Sequence, residues 1–316
     1  MNILCVGQLV ADILVKPVNK VDFDIDTQRV EQIIVKNGGD ALNTAIDLAK
    51  LGNDVGFAGK VGDDSFGEFL VQTIESLGID TRNLKIQKDG YTSSVIVLIN
   101  DKGERSFLYH GGTNDTFKYE DIDTTIINEC KIVHVGGTYL LPQFDGEGAA
   151  KLFQFAQSKK IITSMDVTSD TTGRWLSIIK PCLKYLNIFM PSYKEACSIS
   201  GERNPENIAE FLQKEGVDTV VIKLGKDGCY VKGLDIGFYF PAYEVSVVDT
   251  TGAGDSFVAG FLSGILKEWD LVKCAQFASA VSEHCIQHLG ATTGIPEFNV
   301  VENFIKEHGD GIFNQQ

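Results

Sequence analysis

The chain has 316 residues, and its 28 basic and 43 acidic side chains give a formal net charge of −15, which argues against nucleic acid and against a membrane as partners. Hydrophobic residues make up 43% of the chain, so it is not disordered, yet no run approaches the ~18 apolar residues of a membrane span. Seven scattered cysteines without C-x-x-C spacing predict reduced thiols, so we expect a cytoplasmic protein with a sizeable core.

Short apolar runs alternate with amphipathic stretches along most of the chain. Several runs are continuously apolar, which is typical of parallel strands that are covered on both faces. The first two helical stretches end at Gly52 and Gly78, where glycine commonly ends a helix. This order predicts an α/β fold, one domain over residues 1–316 with a doubly wound, mostly parallel sheet and helices on both faces. The predicted strands are 3–7, 55–61, 132–136, 161–166, 186–190 and 220–224, and the predicted helices are 41–51, 66–77, 149–158 and 208–215.

Two segments interrupt this alternation. Residues 11–37 alternate apolar and polar positions, and residues 94–99 and 105–109 form a hairpin pattern around the turn Asn100-Asp101-Lys102-Gly103. Neither segment contains the helix that a crossover between parallel strands requires. We therefore predict a small, mostly antiparallel β-sheet lid, formed by about residues 11–37 and 91–112. A small sheet cannot bury both faces alone, which predicts a homodimer through the lid.

A first glycine-rich string, Asn37-Gly38-Gly39-Asp40-Ala41-Leu42-Asn43, leads into the first predicted helix. Paired glycines let a ligand approach the backbone, and Asp or Asn side chains exchange hydrogen bonds with hydroxyl groups. The same residues also fit an ordinary turn with a helix cap, so the string alone leaves both interpretations open. Asp12, which follows the first strand, is equally open between a ligand contact and a cap.

The strongest signal is the string Asp249-Thr250-Thr251-Gly252-Ala253-Gly254-Asp255, which precedes a helical stripe of apolar residues that starts at Phe257. Residues 252–255 therefore begin a helix, where unpaired backbone N–H groups and a positive dipole bind anions. Asp255 in that first turn can accept a hydroxyl proton while the backbone holds a phosphoryl group. A dinucleotide-binding motif is excluded, because it would need glycine at Phe257.

Together these strings resemble the two signatures of the ribokinase-like (PfkB) carbohydrate kinases, at residues 38–52 and 249–260. Further pieces follow in the family's order, including Gly103-Glu104-Arg105 and Lys223-Leu224-Gly225 with Gly228, so the resemblance covers residues 1–298. Within the family, the string Gly39-Asp40-Ala41 looks most like that of bacterial sugar kinases of unsettled substrate. The resemblance implies a ribokinase-like fold and transfer of the γ-phosphoryl group of ATP to a primary hydroxyl of a sugar.

The resemblance also implies roles for individual residues. Asp255 would be the general base, and Gly252, Ala253 and Gly254 would form the anion hole. Asp249 and Thr251, with backbone from residues 285–294, would bind a monovalent cation such as K⁺. The resemblance further implies a sugar site formed by Asp12, Gly39, Asp40, Asn43 and Arg105, in which Arg105 reaches inward or braces the lid. It implies an ATP site lined by Lys223, Gly225, Gly228 and Thr251. Glu195 would bind Mg²⁺ through water.

Two departures from the family's pattern bear on the substrate. Ser192 stands where the family has the Asn of its Asn-x-x-Glu motif, and Asp170 stands where a central arginine is expected. The missing arginine argues against phosphosugars and keto-acid sugars, unless Arg174 substitutes for it. Two alternatives stay open: a nucleoside kinase whose base packs on Phe107 and Tyr109, and a catalytically silent sugar-binding regulator.

Overall fold

A computed structural model describes residues 1–309, so residues 310–316 of the predicted domain lie outside the described residues. Within this range the strands form two separate sheets, of nine and four strands. The strands of the large sheet are β1 (Ile3–Gly7), β4 (Val55–Gly62), β5 (Asp80–Gln87), β8 (Ile132–Thr138), β9 (Ile162–Val167), β10 (Ile188–Phe189), β11 (Thr219–Lys223), β12 (Cys229–Lys232) and β13 (Gly237–Phe240), and those of the small sheet are β2 (Val10–Lys16), β3 (Gln32–Gly38), β6 (Ser94–Ile99) and β7 (Arg105–His110).

The large sheet has the order β13-β12-β11-β10-β9-β8-β1-β4-β5. All neighbours pair in parallel except β12 and β13, which add an antiparallel edge. The predicted fold class is thereby confirmed. The helices are α1 (Asp40–Lys50), α2 (Ser65–Ser76), α3 (Thr124–Ile127), α4 (Glu147–Ser158), α5 (Leu176–Leu183), α6 (Tyr193–Ser200), α7 (Pro205–Lys214), α8 (Ala253–Leu266), α9 (Leu271–Ile286) and α10 (Phe298–His308).

Helices cover both faces of the large sheet, which explains its continuously apolar strands. Ile3 and Cys5 of β1 pack into a core with α1, α2, α8 and α9, whereas Leu4 and Val6 point to the opposite core with α4, α5 and α7. Successive side chains of a strand point to opposite faces of the sheet. A strand that is buried on both faces is therefore apolar at successive positions and does not alternate with polar residues. No helix among residues 1–309 has the length and apolar character to cross a membrane.

Helix α7 and strand β5 differ from the sequence-based expectation for physical reasons. The predicted helix at 208–215 starts earlier, at Pro205, because Asn204 caps it by accepting a hydrogen bond from the Asn207 N–H and proline fits the first helical turn. Strand β5 was not predicted, since only Asn83 of its eight residues is buried. It is an edge strand, where a polar sequence prevents further strand pairing.

The small sheet, here called the lid, has the order β3-β2-β6-β7 and is antiparallel except where β2 pairs with β6. One face carries a small core of Val10, Val95, Val97 and Ile99. The strand registers put Asp12 and Arg105 on this same face. The opposite face is a row of apolar side chains in register across all four strands: Val35, Ile13, Ile96 and Leu108.

Candidate active site

A cavity of about 530 Å³ lies where α8 begins, next to the carboxyl ends of β9 and β11. In open α/β sheets this edge is the usual place for a ligand. Nine of the residues predicted from sequence line it, and five further polar residues join them. The predicted residues are Asp40, Glu195, Lys223, Gly225, Gly228, Gly252, Ala253, Gly254 and Asp255, and the further polar residues are Asp166, Thr168, Ser192, Thr250 and Ser282.

The first turn of α8 lines this cavity through residues 252–255, and no side chain caps it at Gly252. Gly252 has φ 80°, and a Cβ there would collide with the carbonyl oxygen of Ala291. Only glycine fits this combination of backbone conformation and close approach. The helix start is therefore an open anion-binding turn, with a positive dipole end and no side-chain cap, in which the Ala253 N–H donates to the Thr250 carbonyl oxygen at 3.2 Å.

Asp255 is buried and accepts a hydrogen bond from the first glycine-rich string, residues 37–43. The Asn43 side chain donates a hydrogen bond from Nδ2 to Asp255 Oδ2 at 2.9 Å, and Asn37 donates to Asn43 Oδ1 at 3.2 Å. Thr44 Oγ1 also donates to the Asp255 carbonyl oxygen, at 3.4 Å. These contacts join α1 to α8, so the two strings of the sequence meet at one carboxylate. Burial and the charge of Asp40 raise the pKa of Asp255 well above its ordinary value, against the opposing hydrogen bond from Asn43.

Lys223 is the basic residue among the charged side chains that line the cavity, where four carboxylates accompany it. Its Nζ lies 2.5 Å from Asp166 Oδ2. Burial raises the pKa of Asp166 to about 7 although Lys223 opposes the shift, and Asp40 reaches about 6 in the same way. Burial alone would lower the pKa of Lys223, but Asp166 and Glu195 outweigh it and the pKa is raised. Lys223 therefore stays charged beside the anion-binding turn.

Asp12 and Gly39 adjoin the cavity rather than line it. A Cβ on Gly39, which has φ 94°, would come within 2.7 Å of the Gln8 carbonyl oxygen. The Asp12 carboxylate fills the space beside Gly38, where any Cβ would collide with it. Burial and the charge of Asp40 raise the pKa of Asp12 to about 7. The structure thus brings Asp12 close to Asp40, as the sequence-based grouping expected.

Arg105 reaches from the lid to the loop before α8. Its guanidinium donates to Asp249 Oδ1 at 2.7 Å and to the Thr251 hydroxyl. Asp249 also accepts hydrogen bonds from the Thr251 N–H and hydroxyl and, through Oδ2, from the Gly290 N–H. The structure therefore groups Arg105 with the predicted cation ligands Asp249 and Thr251, outside the cavity that holds Asp255.

A second, more apolar cavity of about 420 Å³ shares Gly225, Thr250, Ala253 and Ser282 with the first. Val245, Val247 and Ile286 contribute its apolar wall. A flat aromatic base fits such a wall, while the shared residues lead toward the anion-binding turn. The two cavities together have the polarity expected for a nucleotide.

Glu195 lines the cavity and caps the start of α6. Its Oε2 accepts a hydrogen bond from the Ser192 N–H at 2.8 Å, which fixes the carboxylate at the cavity wall. Among residues 1–309 no group of three or more His, Cys, Asp or Glu side chains forms a metal site. Mg²⁺ at nucleotide sites is commonly held by one or two carboxylates together with phosphates and water, so these residues fit it. Serine at position 192 keeps the backbone contact, which needs no asparagine side chain.

Arg174 lines a third cavity, of about 420 Å³, and does not line the cavity that contains Asp255. Arg174 Nε donates to the Thr172 hydroxyl at 3.0 Å, and Asp170 accepts from the Thr172 and Trp175 N–H groups. Tyr109 of the lid and Tyr139 line the same cavity. The residues at the missing-arginine position thus build a turn, and Arg174 lies away from Asp255's cavity.

Asp166 is the charged residue of the first cavity that sequence reasoning left without a role. Its place near the end of buried strand β9, at the edge where parallel strands meet ligands, was the available signal.

Comparison with known proteins matches residues 1–297 to the pfkB family of carbohydrate kinases. Over 254 residues the chain is 31% identical to an uncharacterized sugar kinase of Archaeoglobus fulgidus, covering 79% of this chain and 98% of that protein. It is 29% identical to the aminoimidazole riboside kinase of Salmonella typhimurium, over 93% of this chain and 97% of that one. The Arabidopsis thaliana ribokinase structure with ribose and ATP superposes with a TM-score of 0.85 at 23% identity, over 96% of this chain and 97% of that one.

The sequence motifs, the ribokinase-like architecture and the match over nearly the whole chain agree with one another. The predicted family resemblance is confirmed, and the chain belongs to the pfkB family of carbohydrate kinases.

Proposed function

We propose that this protein transfers the γ-phosphoryl group of ATP to a primary hydroxyl of a sugar. The observation that carries the proposal is the position of Asp255, which is held by Asn43 and lines the same cavity as the anion-binding turn of residues 252–254. A proton acceptor and a phosphate-binding turn next to each other are what phosphoryl transfer to a hydroxyl requires.

In the proposed reaction Asp255 accepts the hydroxyl proton as the sugar oxygen attacks the γ-phosphorus. Its raised pKa gives the ionised carboxylate a higher proton affinity than an ordinary one, while Asn43 and Lys223 favour the ionised form that can accept the proton. The N–H groups at residues 252–254 receive the negative charge that develops on the transferred group. Asp12, Gly39, Asp40 and Asn43 would hold the other hydroxyls of the sugar, because they surround the approach to Asp255 from the side of α1.

Lys223, Gly225 and Gly228 would line the phosphates of ATP, with the base in the adjoining apolar cavity. Lys223 supplies a positive charge in a cavity otherwise lined by carboxylates. Mg²⁺ bound with the nucleotide would neutralise phosphate charge, and Glu195 would hold it through water.

The test is Asp255→Asn, which keeps the size of the side chain but cannot accept a proton. We expect ATP affinity to stay within about twofold and kcat to fall by about 10²–10⁴-fold. ADP release would be followed with the best acceptor from a set of aldoses, ketoses and ribosides, and ATP binding by calorimetry. Asp235→Asn, at an exposed turn position, is the matched control and should leave both unchanged. Undiminished turnover of Asp255→Asn would overturn the proposal.

A nucleoside acceptor is the second candidate, favoured by the cavity that contains Arg174. Tyr109 of the lid and Tyr139 face it together, and Tyr139 packs edge-on against Trp175 with ring centroids 5.4 Å apart. Aromatic side chains of this kind bind a flat base. Measuring which acceptors stabilise the protein against heat separates the candidates, since a ligand at 100 Kd adds ~2.7 kcal/mol.

We further propose that two copies pair through the outer face of the lid. Ile33 and Leu108 there are 65% and 58% exposed, and Val35 and Ile96 lie beside them in the same apolar face. An apolar face of a small sheet is usually covered by a partner. Light scattering should give twice the mass of one chain for the wild type and the mass of one chain for Leu108→Glu. A monomeric wild type at micromolar concentration would contradict the pairing.

A further inference from the structure

The carboxylate of Asp249 has a complete set of partners, and one of them comes from the lid. Its side chain is 4% exposed, whereas that of Arg105 is 27% exposed. Oδ1 accepts from the Thr251 N–H at 3.0 Å, from the Thr251 hydroxyl at 2.8 Å and from Arg105 Nη2 at 2.7 Å, and Oδ2 accepts from the Gly290 N–H at 3.0 Å. A buried carboxylate with four hydrogen bonds, one of them from a guanidinium, is neutralised and satisfied.

These contacts test whether the predicted potassium site fits. The predicted site takes oxygen ligands from Asp249 and Thr251, together with backbone from residues 285–294. Both the Asp249 Oδ1 and the Thr251 hydroxyl already receive a guanidinium N–H, so a cation there would meet a positive charge at contact distance. The residues therefore do not fit K⁺ while Arg105 is in this place.

We propose that the Arg105 guanidinium is the resident cation of the Asp249 site and makes nucleotide binding independent of K⁺. The inference rests on the proposed function for its nucleotide. Arg105 acts through Asp249, so it is a positioning residue: it neutralises a carboxylate three residues before the anion-binding turn and fixes the loop in which Gly252 meets Ala291. Without a counter-charge, Asp249 would repel the phosphates that bind next to it.

This assignment links the phosphate site to the lid. Arg105 begins β7, and Asp249 precedes α8, so the counter-charge reaches the carboxylate only with the lid in the position described. The guanidinium of Arg105 donates from its two terminal nitrogens to two different acceptors, Thr251 Oγ1 and Asp249 Oδ1. Lysine, with a single nitrogen, cannot reproduce this planar geometry. The loop before α8 is therefore held at Asp249 from two sides. The Gly290 N–H binds its Oδ2, and Arg105 of the lid binds its Oδ1.

The test compares wild type with Arg105→Met in KCl and in tetramethylammonium chloride at equal ionic strength. ADP affinity by calorimetry and the melting temperature are measured in each salt. We expect the wild type to be indifferent to the salt. For Arg105→Met we expect ADP affinity about tenfold lower in tetramethylammonium, a loss of ~1.4 kcal/mol, and recovery to within about twofold in KCl, because K⁺ enters the vacated site. Lys102→Met removes a positive charge from the same hairpin and should respond to neither salt.

Either of two results would overturn the assignment: a wild type whose ADP affinity or melting temperature rises in KCl, or an Arg105→Met protein that KCl does not restore. If Arg105→Met does not fold, the wild-type comparison alone decides. Absence of ADP binding in every variant would refute the proposed function instead, and the melting temperatures in the two salts would still judge Arg105.

Discussion

Carboxylates lie on two sides of the anion-binding turn, and on each side one of them is paired with a cation of different origin. Inside the cavity, Lys223 at the end of a central strand pairs with Asp166. On the other side, Arg105 of the lid pairs with Asp249. The first cation is built into the core of the large sheet, whereas the second belongs to a separate four-stranded sheet.

The positive charge of Lys223 is permanent at its site because the large sheet fixes its position, whereas that of Arg105 is conditional on the position of the lid. Lys223 is supplied by a strand that is hydrogen-bonded between two neighbours, so its place is fixed by the fold. Arg105 is supplied by the edge strand of the lid, and its place depends on how the lid lies. A chain with a net charge of −15 can therefore bind phosphates because local donors, not net charge, set the field at the turn.

The largest effect is expected for Lys223→Met. It leaves Asp166, Asp40 and Glu195 without their buried counter-charge, and breaking such a pair costs about 3–5 kcal/mol. We expect a lower melting temperature and nucleotide affinity reduced by about tenfold or more, in any salt. Calorimetry and thermal unfolding measure both.

The response of Lys223→Met to KCl tests how Lys223 differs from Arg105. Because Lys223 is buried within the fold, KCl should not restore nucleotide affinity to Lys223→Met, in contrast to Arg105→Met. Lys232→Met, on the neighbouring strand β12 and away from the cavity, is the matched control. Equal restoration of both variants by KCl would erase the distinction between a permanent and a conditional cation.

The smallest effect concerns Asp47, a carboxylate that has no such cation bonded to it. It lies on α1 and is fully buried, and its two carboxylate oxygens have no hydrogen-bond partner among residues 1–309. Burial and the charge of Asp255 raise its pKa well above the ordinary value, against a smaller opposing effect of Lys50. The folded state therefore keeps a proton that the unfolded state releases, and stability falls as pH rises from the ordinary pKa toward the raised one.

Asp47→Asn removes that titration. We expect the free energy of unfolding of the variant to exceed that of the wild type by about 1–2 kcal/mol at pH above neutrality, and the gain to vanish in acid. Urea unfolding across pH measures it, with Asp235→Asn as the exposed control. A pH dependence that persists unchanged in Asp47→Asn would mean that another group is responsible.

Local patterns in the sequence were sufficient for the anion-binding turn and for most strands. Gly252, Gly254 and Asp255 could be identified because a helix start is encoded by its own apolar stripe and glycines. The buried strands could be identified because burial on both faces leaves a continuous apolar run.

Contacts between distant segments could not be predicted in this way. The hydrogen bond between Asn43 and Asp255 joins residues 212 positions apart through the packing of α1 on α8. The pairing of Arg105 with Asp249 depends on where the lid lies against the α8 loop, which no pattern in either segment records. Asp166 was visible as a strand-end acid, but its partner Lys223 is set by the order of strands in the sheet.

The most direct test of the central claim is acceptor-dependent release of ADP from ATP by the wild-type protein and Asp255→Asn, measured side by side with the same aldoses, ketoses and ribosides. We expect at least one acceptor to raise ADP release by the wild type well above the rate without acceptor. Asp255→Asn should still bind ATP but lower that increase by about 10²–10⁴-fold. Binding of ATP and of an acceptor by the wild type, with no ADP released for any of them, would contradict the account and favour a silent regulator.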